Sequence, residues 1–137
     1  MSKVIIIDDE HLARSIVKEY LQKQPQLELV AECGDGFEGL KAIQQYQPDL
    51  IFLDIQMPGK TGFDMLAELD KAPQVIFTTA HHEFALKAFE VNALDYLLKP
   101  ISFDRFLKAA LKAKEFYEVR EKNTPVPAID HFFIKAD

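Results

Sequence analysis

The sequence has 137 residues, a formal net charge of −6 and 48% hydrophobic residues, which is the size and composition of one globular domain and not of a disordered segment. The negative charge disfavours nucleic-acid binding by the domain itself, because phosphate contacts need clustered Lys and Arg. It suits a cation or a basic partner surface better, although charge alone fixes neither.

Cys33 is the one cysteine of the chain, so an internal disulfide is impossible. In the apolar segment LELVAECG we expect it to be a small core residue, and its solitary occurrence favours a reducing compartment. The N-terminus lacks a basic region followed by a long apolar stretch, and no segment is apolar for long enough to cross a bilayer. We therefore expect a cytoplasmic protein without membrane contact.

Short apolar runs alternate with longer amphipathic segments along the chain. The first run, VIII at residues 4–7, predicts a buried strand, and the apolar stripe within 10–24 predicts a helix that Pro25 ends. In the same way the pattern predicts strands at 27–33, 50–53, 74–79 and 95–99, helices at 37–47, 63–70, 82–92 and 102–119, and a loop at 54–62. This alternation predicts an α/β fold with a doubly wound five-stranded parallel sheet and five helices on its two faces.

The sequence changes character after the fifth predicted helix. We assign residues 1–121 to the α/β domain. Residues 122–128 are polar and contain Pro125 and Pro127, which is typical of a linker. The segment IDHFFIKAD at 129–137 resumes an apolar, strand-like pattern, and we interpret it as the start of a second, truncated domain.

Polar side chains follow the predicted strands at the ends where ligands bind in open parallel sheets. Asp8 and Asp9 follow the first strand, Asp54 the third, Thr79 closes the fourth and Lys99 the fifth. Two adjacent ionised carboxylates beside a buried strand repel each other and are costly to desolvate, so they need a partner. Oxygen-only ligands suit a hard cation, Mg²⁺ ahead of Ca²⁺ or Mn²⁺, whereas Lys99 and Thr79 complement a phosphoryl group.

Four segments, in this order, resemble the receiver domain of two-component response regulators: the acid pair in IIIDDE, the loop LDIQMPGKTG, the segment FTTAH and the segment DYLLKP. Each closes a predicted strand, and the likeness extends over about residues 3–121. The resemblance implies the flavodoxin-like, CheY-like fold and a phosphorylation-controlled switch that is not an enzyme. The implied partner is a sensor histidine kinase, and phosphorylation is expected to promote homodimerisation.

The resemblance also assigns roles to individual residues around a metal. Asp54 is the implied nucleophile and phosphorylation site, which accepts the phosphoryl group from a phosphohistidine. Asp9 and Asp54 are the implied direct Mg²⁺ ligands, together with the backbone carbonyl of Gln56, and Asp8 acts mainly through water. The side chain of Gln56 is expected to tune the lifetime of the phosphoryl group.

Lys99, Thr79 and Tyr96 complete the implied site. Lys99 pairs with the phosphoryl oxygens, Thr79 moves to hydrogen-bond the phosphoryl group, and Tyr96 changes rotamer in concert. The bond between Lys99 and Pro100 is expected to be cis. In-line phosphoryl transfer depends on positioning and charge neutralisation more than on elaborate covalent chemistry, which agrees with this set of residues.

A second resemblance concerns the end of the chain. The segment DYLLKPISFDRFLKAA, the proline-containing linker and IDHFFIKAD resemble regulators of the LytR/AlgR family, in which the receiver precedes a LytTR-type DNA-binding domain. Residues 129–137 are then the first strand of that domain, whose DNA-reading residues are missing from this chain. DNA binding is therefore expected only through the missing domain.

Simpler roles for the same residues stay open. Asp8 or Asp9 could cap the first helix, since acidic residues are favoured at helix N-termini. Thr79 could be only a β-branched strand residue, and Tyr96 could belong partly to the core without losing a role in switching.

Other functions also stay open. An aspartyl-phosphate phosphatase on a similar sheet typically carries its nucleophile on the first strand in an Asp-x-Asp pattern, whereas this strand ends in Asp8, Asp9 and Glu10. A flavodoxin-like cofactor binder needs a Ser/Thr/Gly-rich phosphate loop where this chain has DDEHLA. A stand-alone receiver that acts through protein–protein interaction differs from a DNA-binding regulator only in the sequence beyond Asp137.

Overall fold

The computed structural model describes the backbone of residues 1–123 and the side chains of residues 1–119. Strands and helices alternate along the chain, as predicted. The strands are β1 (Ser2–Ile7), β2 (Leu27–Cys33), β3 (Leu50–Asp54), β4 (Gln74–Thr79) and β5 (Asp95–Leu98). The helices are α1 (His11–Leu21), α2 (Gly36–Tyr46), α3 (Gly62–Ala67), α4 (Ala85–Glu90) and α5 (Phe103–Asn123), and a short 3₁₀ helix (His82–Phe84) precedes α4.

All five strands are parallel and lie in the order β2-β1-β3-β4-β5. The chain moves from β1 out to β2 and then returns past β1 to β3, so the winding direction changes between β1 and β3. Ile7 lies opposite Leu53 in the register of these two strands, which brings the next residues, Asp8 and Asp54, to the same edge. The predicted doubly wound sheet is confirmed, and this switch point is where such sheets bind ligands.

The central strands are buried on both faces because helices cover both sides of the sheet. Residues 4–7 are at most 1% exposed, and the residues of β3 are at most 3% exposed. Alternate side chains enter two separate cores, one beneath α1 and α5 and one beneath α2, α3 and α4. Phe106 anchors α5 in the first core, since it is fully buried and its ring stacks 5.6 Å from that of Phe52.

The two helices of the first core differ from their predicted limits. α1 ends at Leu21 instead of residue 24, and beyond it the buried Gln24 side chain accepts a hydrogen bond from Lys114 Nζ on α5 (2.7 Å). α5 continues to Asn123, two residues into the predicted linker 122–128, because charged residues of high helix propensity extend it. Despite its length α5 is polar, and none of the helices within residues 1–123 could cross a membrane. The rest of that linker, and segment 129–137, lie outside the described residues.

Helices α3 and α4 are shorter than predicted. α3 begins with a capping box, in which Thr61 Oγ1 accepts the Asp64 N–H (3.0 Å), and it ends at Ala67 instead of residue 70. The predicted helix 82–92 is divided into the 3₁₀ helix and α4, and Asn92 follows in a left-handed conformation at φ 60°. The ends of these helices depend on local hydrogen bonding, which cannot be predicted from the spacing of apolar residues.

The loop from β5 to α5 is held against α1 and β4. The bond between Lys99 and Pro100 is cis, as expected. Tyr20 on α1 donates its hydroxyl to the carbonyl of Ile101 (2.8 Å), and the Lys99 N–H donates to the carbonyl of Thr79 (2.7 Å). These contacts fix the position from which the Lys99 side chain leaves the sheet.

A charged contact also joins β5 to α5. The Asp95 carboxylate accepts two hydrogen bonds from the Arg105 guanidinium (3.0 and 2.6 Å) and lies 3.2 Å from Lys112 Nζ. Burial by itself raises the pKa of the Asp95 carboxyl. The hydrogen bonds from Arg105, the Tyr96 N–H and Lys112, together with the charge of Arg105, outweigh it and hold this pKa below its ordinary value of 3.8. The ionised carboxylate therefore stabilises the packing of α5 on the sheet.

We predict that Asp95→Asn lowers the free energy of unfolding by about 2 kcal/mol at pH 7, since hydrogen bonds to a charged group are lost. A carboxyl whose pKa is lowered on folding contributes stability above its unfolded pKa, and loses it as the pH falls through the native value. The difference between wild type and variant should therefore shrink between pH 7 and pH 3, measured by urea unfolding. A difference that stays constant over this range contradicts the assignment. The exposed Asp70, changed to Asn, is the control.

Candidate functional site

The loop after β1 carries three acidic residues, Asp8, Asp9 and Glu10, directly before α1. Asp8 is buried, whereas Asp9 and Glu10 are exposed. The Asp8 N–H donates to the carbonyl of Cys33 on β2 (3.0 Å), and Asp8 Oδ1 accepts the Glu10 N–H (2.9 Å). The N-cap residue of α1 is Glu10, which makes no side-chain capping bond. Neither Asp8 nor Asp9 is therefore the N-cap of this helix.

Arg14 holds this loop from the first turns of α1. Its Nη1 donates to the carbonyl of Asp8 (2.6 Å), and its Nε donates to the Glu32 carboxylate on β2 (3.2 Å). The hydrogen bond from Lys18 and, to a lesser degree, that from Arg14 lower the pKa of the Glu32 carboxyl despite its partial burial. The sequence analysis missed Arg14, because an arginine on the polar face of an amphipathic helix usually points into solvent.

Asp54 is the last residue of β3 and is 3% exposed. Burial, and then the charge of Asp8, raise the pKa of Asp54 to about 8, and the ammonium of Lys99 offsets only part of this. Asp54 Oδ2 lies 3.5 Å from Lys99 Nζ. When Asp54 is ionised, its surroundings are therefore short of positive charge.

Lys99 brings three carboxylates to one point. Its Nζ lies 2.6 Å from Glu10 Oε1, 3.0 Å from Asp8 Oδ2 and 3.5 Å from Asp54 Oδ2. Burial by itself lowers the pKa of Lys99. The hydrogen bonds to Glu10 and Asp8, together with the charges of Asp54 and Asp8, outweigh it, so this pKa is raised and the ammonium stays charged. The site thus combines one cation with three carboxylates, and the charges do not balance.

The structure groups the carboxylates somewhat differently from the predicted ligand set. Oxygen atoms of Asp8, Glu10 and Asp54 lie within 4.8 Å of one another. Asp9 is not part of this group, although its side chain interacts with that of Asp54, and Gln56 has an exposed side chain in the loop after β3. Sequence analysis missed Glu10. The signal was present as the third acid of IIIDDE, but the residue was assigned to the first helix.

Thr79 and Tyr96 converge on the backbone of His81. Thr79 closes β4, is 1% exposed, and accepts the His81 N–H at its Oγ1 (3.1 Å). Tyr96, half-buried on β5, donates its hydroxyl to the carbonyl of His81. The two residues predicted to switch therefore contact the same segment, which connects the edge of the sheet to the 3₁₀ helix and α4.

Glycines shape the loop between β3 and α3. Gly59 adopts φ 83°, a left-handed conformation that favours glycine. A Cβ on Gly62 would lie 2.6 Å from the carbonyl oxygen of Asp54, so the start of α3 approaches β3 as closely as a glycine allows. The Gly62 N–H donates to the carbonyl of Ile55 (2.9 Å). The loop therefore fixes the backbone on which Asp54 is presented.

Residues 4–111 match the family model described as the response regulator receiver domain. The chain belongs to this family. Its receiver domain resembles the transcriptional regulatory protein BtsR of Escherichia coli (strain K12), with 45% identity over 117 residues that cover 84% of this chain and 49% of that protein. The chain spans about half the length of the curated relatives it matches.

Solved receiver structures share its fold. The response regulatory domain of protein mrkE from Klebsiella pneumoniae is 35% identical with a TM-score of 0.77, covering 85% of this chain and 98% of that one. The REC domain of AraT, a response regulator from Geobacillus stearothermophilus, is 32% identical with a TM-score of 0.80, covering 88% and 98%. The expected CheY-like fold is confirmed. Membership of a signalling family also favours the receiver interpretation over the phosphatase and the flavodoxin-like cofactor binder.

Proposed function

We propose that this receiver domain accepts a phosphoryl group on Asp54 from a sensor histidine kinase and switches conformation to control an output. The observation that carries the proposal is the position of Lys99, whose ammonium lies within 3.5 Å of both Asp54 and Asp8 at the switch point of the sheet. A carboxylate beside a fixed ammonium offers a nucleophilic oxygen next to a group that can pair with phosphoryl oxygens.

A divalent cation fits the donor set of this site. Asp8 and Glu10 are grouped with Asp54, and the side chain of Asp9 also interacts with that of Asp54. These four carboxylates offer only oxygen, which favours Mg²⁺ over softer metals. The raised pKa of Asp54 also indicates that the ammonium of Lys99 alone does not supply enough positive charge to stabilise the ionised Asp54 carboxylate. We propose that Asp9 and Asp54 bind Mg²⁺ directly, together with the carbonyl of Gln56, and that Asp8 contributes through water. The cation, when bound, supplies positive charge that offsets the charge of the phosphoryl oxygens.

The residues of the chain then have separate tasks in the transfer. A carboxylate oxygen of Asp54 forms a bond to phosphorus as the bond from phosphorus to the donor's imidazole nitrogen breaks, and the imidazole leaves with that electron pair. Lys99 keeps its proton and pairs with the phosphoryl oxygens. Thr79 donates its hydroxyl to the phosphoryl group. In dephosphorylation a water oxygen forms a bond to phosphorus, the bond from phosphorus to the Asp54 oxygen breaks, and inorganic phosphate leaves. No enzymatic activity beyond this self-phosphorylation and self-dephosphorylation is proposed.

We predict that acetyl phosphate adds the mass of one phosphoryl group to the wild-type protein only when Mg²⁺ is present. Asp54→Asn should take no label, because the nucleophilic oxygen is replaced, and excess EDTA should prevent labelling of the wild type. Intact-mass spectrometry measures both. The matched control is Asp70→Asn, since Asp70 is an exposed aspartate that precedes β4 at the other end of the strands. Labelling that survives Asp54→Asn, or that persists in EDTA, contradicts the assignment.

We also propose that phosphorylation promotes homodimerisation through the face formed by α4, β5 and α5. Large apolar side chains stand exposed on or beside α4 and β5: Leu86 is 69% exposed, Phe89 78%, Val91 42% and Leu98 44%. α4 packs beside β5, and Thr79 and Tyr96 contact the segment that leads into α4. When Thr79 moves to donate its hydroxyl to the phosphoryl group, its Oγ1 moves away from the His81 N–H that it accepts at 3.1 Å. This supplies the differential contact that a population shift requires.

We predict that Thr79→Ala still takes the phosphoryl mimic beryllofluoride but loses most of the mimic-dependent self-association. Sedimentation velocity of wild type and variant, each with and without beryllofluoride and Mg²⁺, measures the effect. Thr79→Ser retains the hydroxyl and should behave like the wild type. If beryllofluoride raises the sedimentation coefficient of the wild type and of Thr79→Ala equally, Thr79 takes no part in the switch.

We further propose that the output is transcription, through a LytTR-type DNA-binding domain that follows residue 137. Support comes from the strand-like apolar pattern at 129–137, which lies outside the described residues, and from relatives named as transcriptional regulatory proteins and about twice as long as the matched part. The acidic receiver is a poor DNA ligand by itself. A cytoplasmic location is part of this proposal.

We predict that residues 1–137 show no submicromolar binding to mixed duplex DNA near physiological salt, because they lack a basic footprint. A chain extended beyond Asp137 should bind. Fluorescence anisotropy with labelled duplex measures both. Tight, salt-sensitive binding by residues 1–137 contradicts this division of labour, and an extended chain that binds no DNA favours a stand-alone receiver.

A further inference from the structure

Glu10 makes the shortest of the three contacts to Lys99. Its Oε1 lies 2.6 Å from Lys99 Nζ, compared with 3.0 Å for Asp8 and 3.5 Å for Asp54. The Glu10 side chain makes no capping bond to α1, so its recorded polar contact is with Lys99. The two residues are 89 positions apart in the sequence and meet only because α1 and the loop after β5 converge at the sheet edge.

The three partners of Lys99 differ in how readily they can leave. The side chains of Asp8 and Asp54 are 5% and 4% exposed, whereas that of Glu10 is 61% exposed. An ammonium offers three hydrogens, and three carboxylates already surround this one. Glu10 and Asp8 hydrogen-bond to Lys99, and Asp54 lies 3.5 Å away. A phosphoryl oxygen pairs most closely with Lys99 if one of these carboxylates moves away, and the exposed Glu10 can turn into water at least cost.

The space beside the pair allows this exchange. Glu10 and Lys99 are the charged residues lining a groove of about 330 Å³, whose other walls include Leu12 on α1 and Pro100 after β5. The groove leaves room for the Glu10 side chain to rotate away from Lys99. Until it does, its negative charge repels an anionic donor at the point where the donor must pair.

We propose that Glu10 competes with the phosphoryl group for Lys99 and thereby slows phosphorylation of Asp54. The inference rests on the proposed phosphorylation of Asp54 and adds a residue that tunes it. During transfer from acetyl phosphate, Asp54 forms its bond to phosphorus, the bond from phosphorus to the acetyl oxygen breaks, and acetate leaves. Lys99 keeps its proton throughout and exchanges its contact with Glu10 for one with a phosphoryl oxygen.

The test compares Glu10→Gln with the wild type in labelling by acetyl phosphate. Mg²⁺ is raised for each protein until the rate no longer changes, so that an effect of Glu10 on cation binding does not enter. The rate at low donor concentration should rise about two- to fivefold, which is the effect that an exposed ion pair supports, and the gain should shrink with added salt. The affinity for beryllofluoride, followed by the NMR signal of the Thr79 amide, should rise in parallel.

Glu83→Gln is the matched control. Glu83 is an exposed glutamate in the 3₁₀ helix after β4, and its recorded ion pair is with His81 instead of Lys99. It should label at the wild-type rate. If Glu83→Gln accelerates labelling as much as Glu10→Gln, net charge explains the gain and the proposal is overturned.

The remaining outcomes separate this inference from the proposed function. A wild type that is labelled at Asp54, with a Glu10→Gln variant that labels at the same rate or more slowly, overturns the competition and leaves the proposed function intact. A wild type that takes no label at Asp54 overturns both. A faster variant with tighter beryllofluoride binding, and an unchanged Glu83→Gln, supports the competition.

Discussion

The burial of Asp8 and Asp54 side by side is the constraint on which the rest of the structure depends. The two residues are 4% and 3% exposed, so water does little to screen the repulsion between their carboxylates. Lys99 supplies one ammonium between them, and the raised pKa of Asp54 indicates that this is not enough. Such an arrangement contributes little to the stability of a fold, and it fits the proposed use of the site for a cation and a phosphoryl group.

The backbone around the site is fixed so that these charges can stay close together. β1 and β3 are neighbours at the switch point, which aligns the ends that carry Asp8 and Asp54. Arg14 holds the carbonyl of Asp8 from α1, and Gly62 lets α3 approach the carbonyl of Asp54. Positioning by the backbone matters because phosphoryl transfer is faster when the charged groups are already in place than when they must first reorganise.

The exposed residues at the edge of the site are freer to move than the buried residues beneath them. Asp8, Asp54 and Thr79 are buried, whereas Glu10 is exposed and Tyr96 is half-buried with its hydroxyl on the carbonyl of His81. A phosphoryl group on the buried Asp54 is therefore expected to change the contacts of Glu10 and Tyr96 first. In the proposed scheme Glu10 loses its contact with Lys99 to the phosphoryl group. Thr79 and Tyr96 then alter the segment at His81 that leads into α4.

The sequence by itself determined the order of strands and helices, because alternating and helical apolar spacing and the prolines between elements are local properties. It also identified Asp54, Thr79 and Lys99 as strand-end residues, since parallel strands collect their carboxyl ends at one edge. Only the tertiary structure decided their partners. Glu10 reaches Lys99 across 89 residues, and Arg14 reaches the carbonyl of Asp8, because α1 packs beside the loop after β5 and over the end of β1. Contacts of this kind depend on how distant segments pack, and no local pattern of residues encodes them.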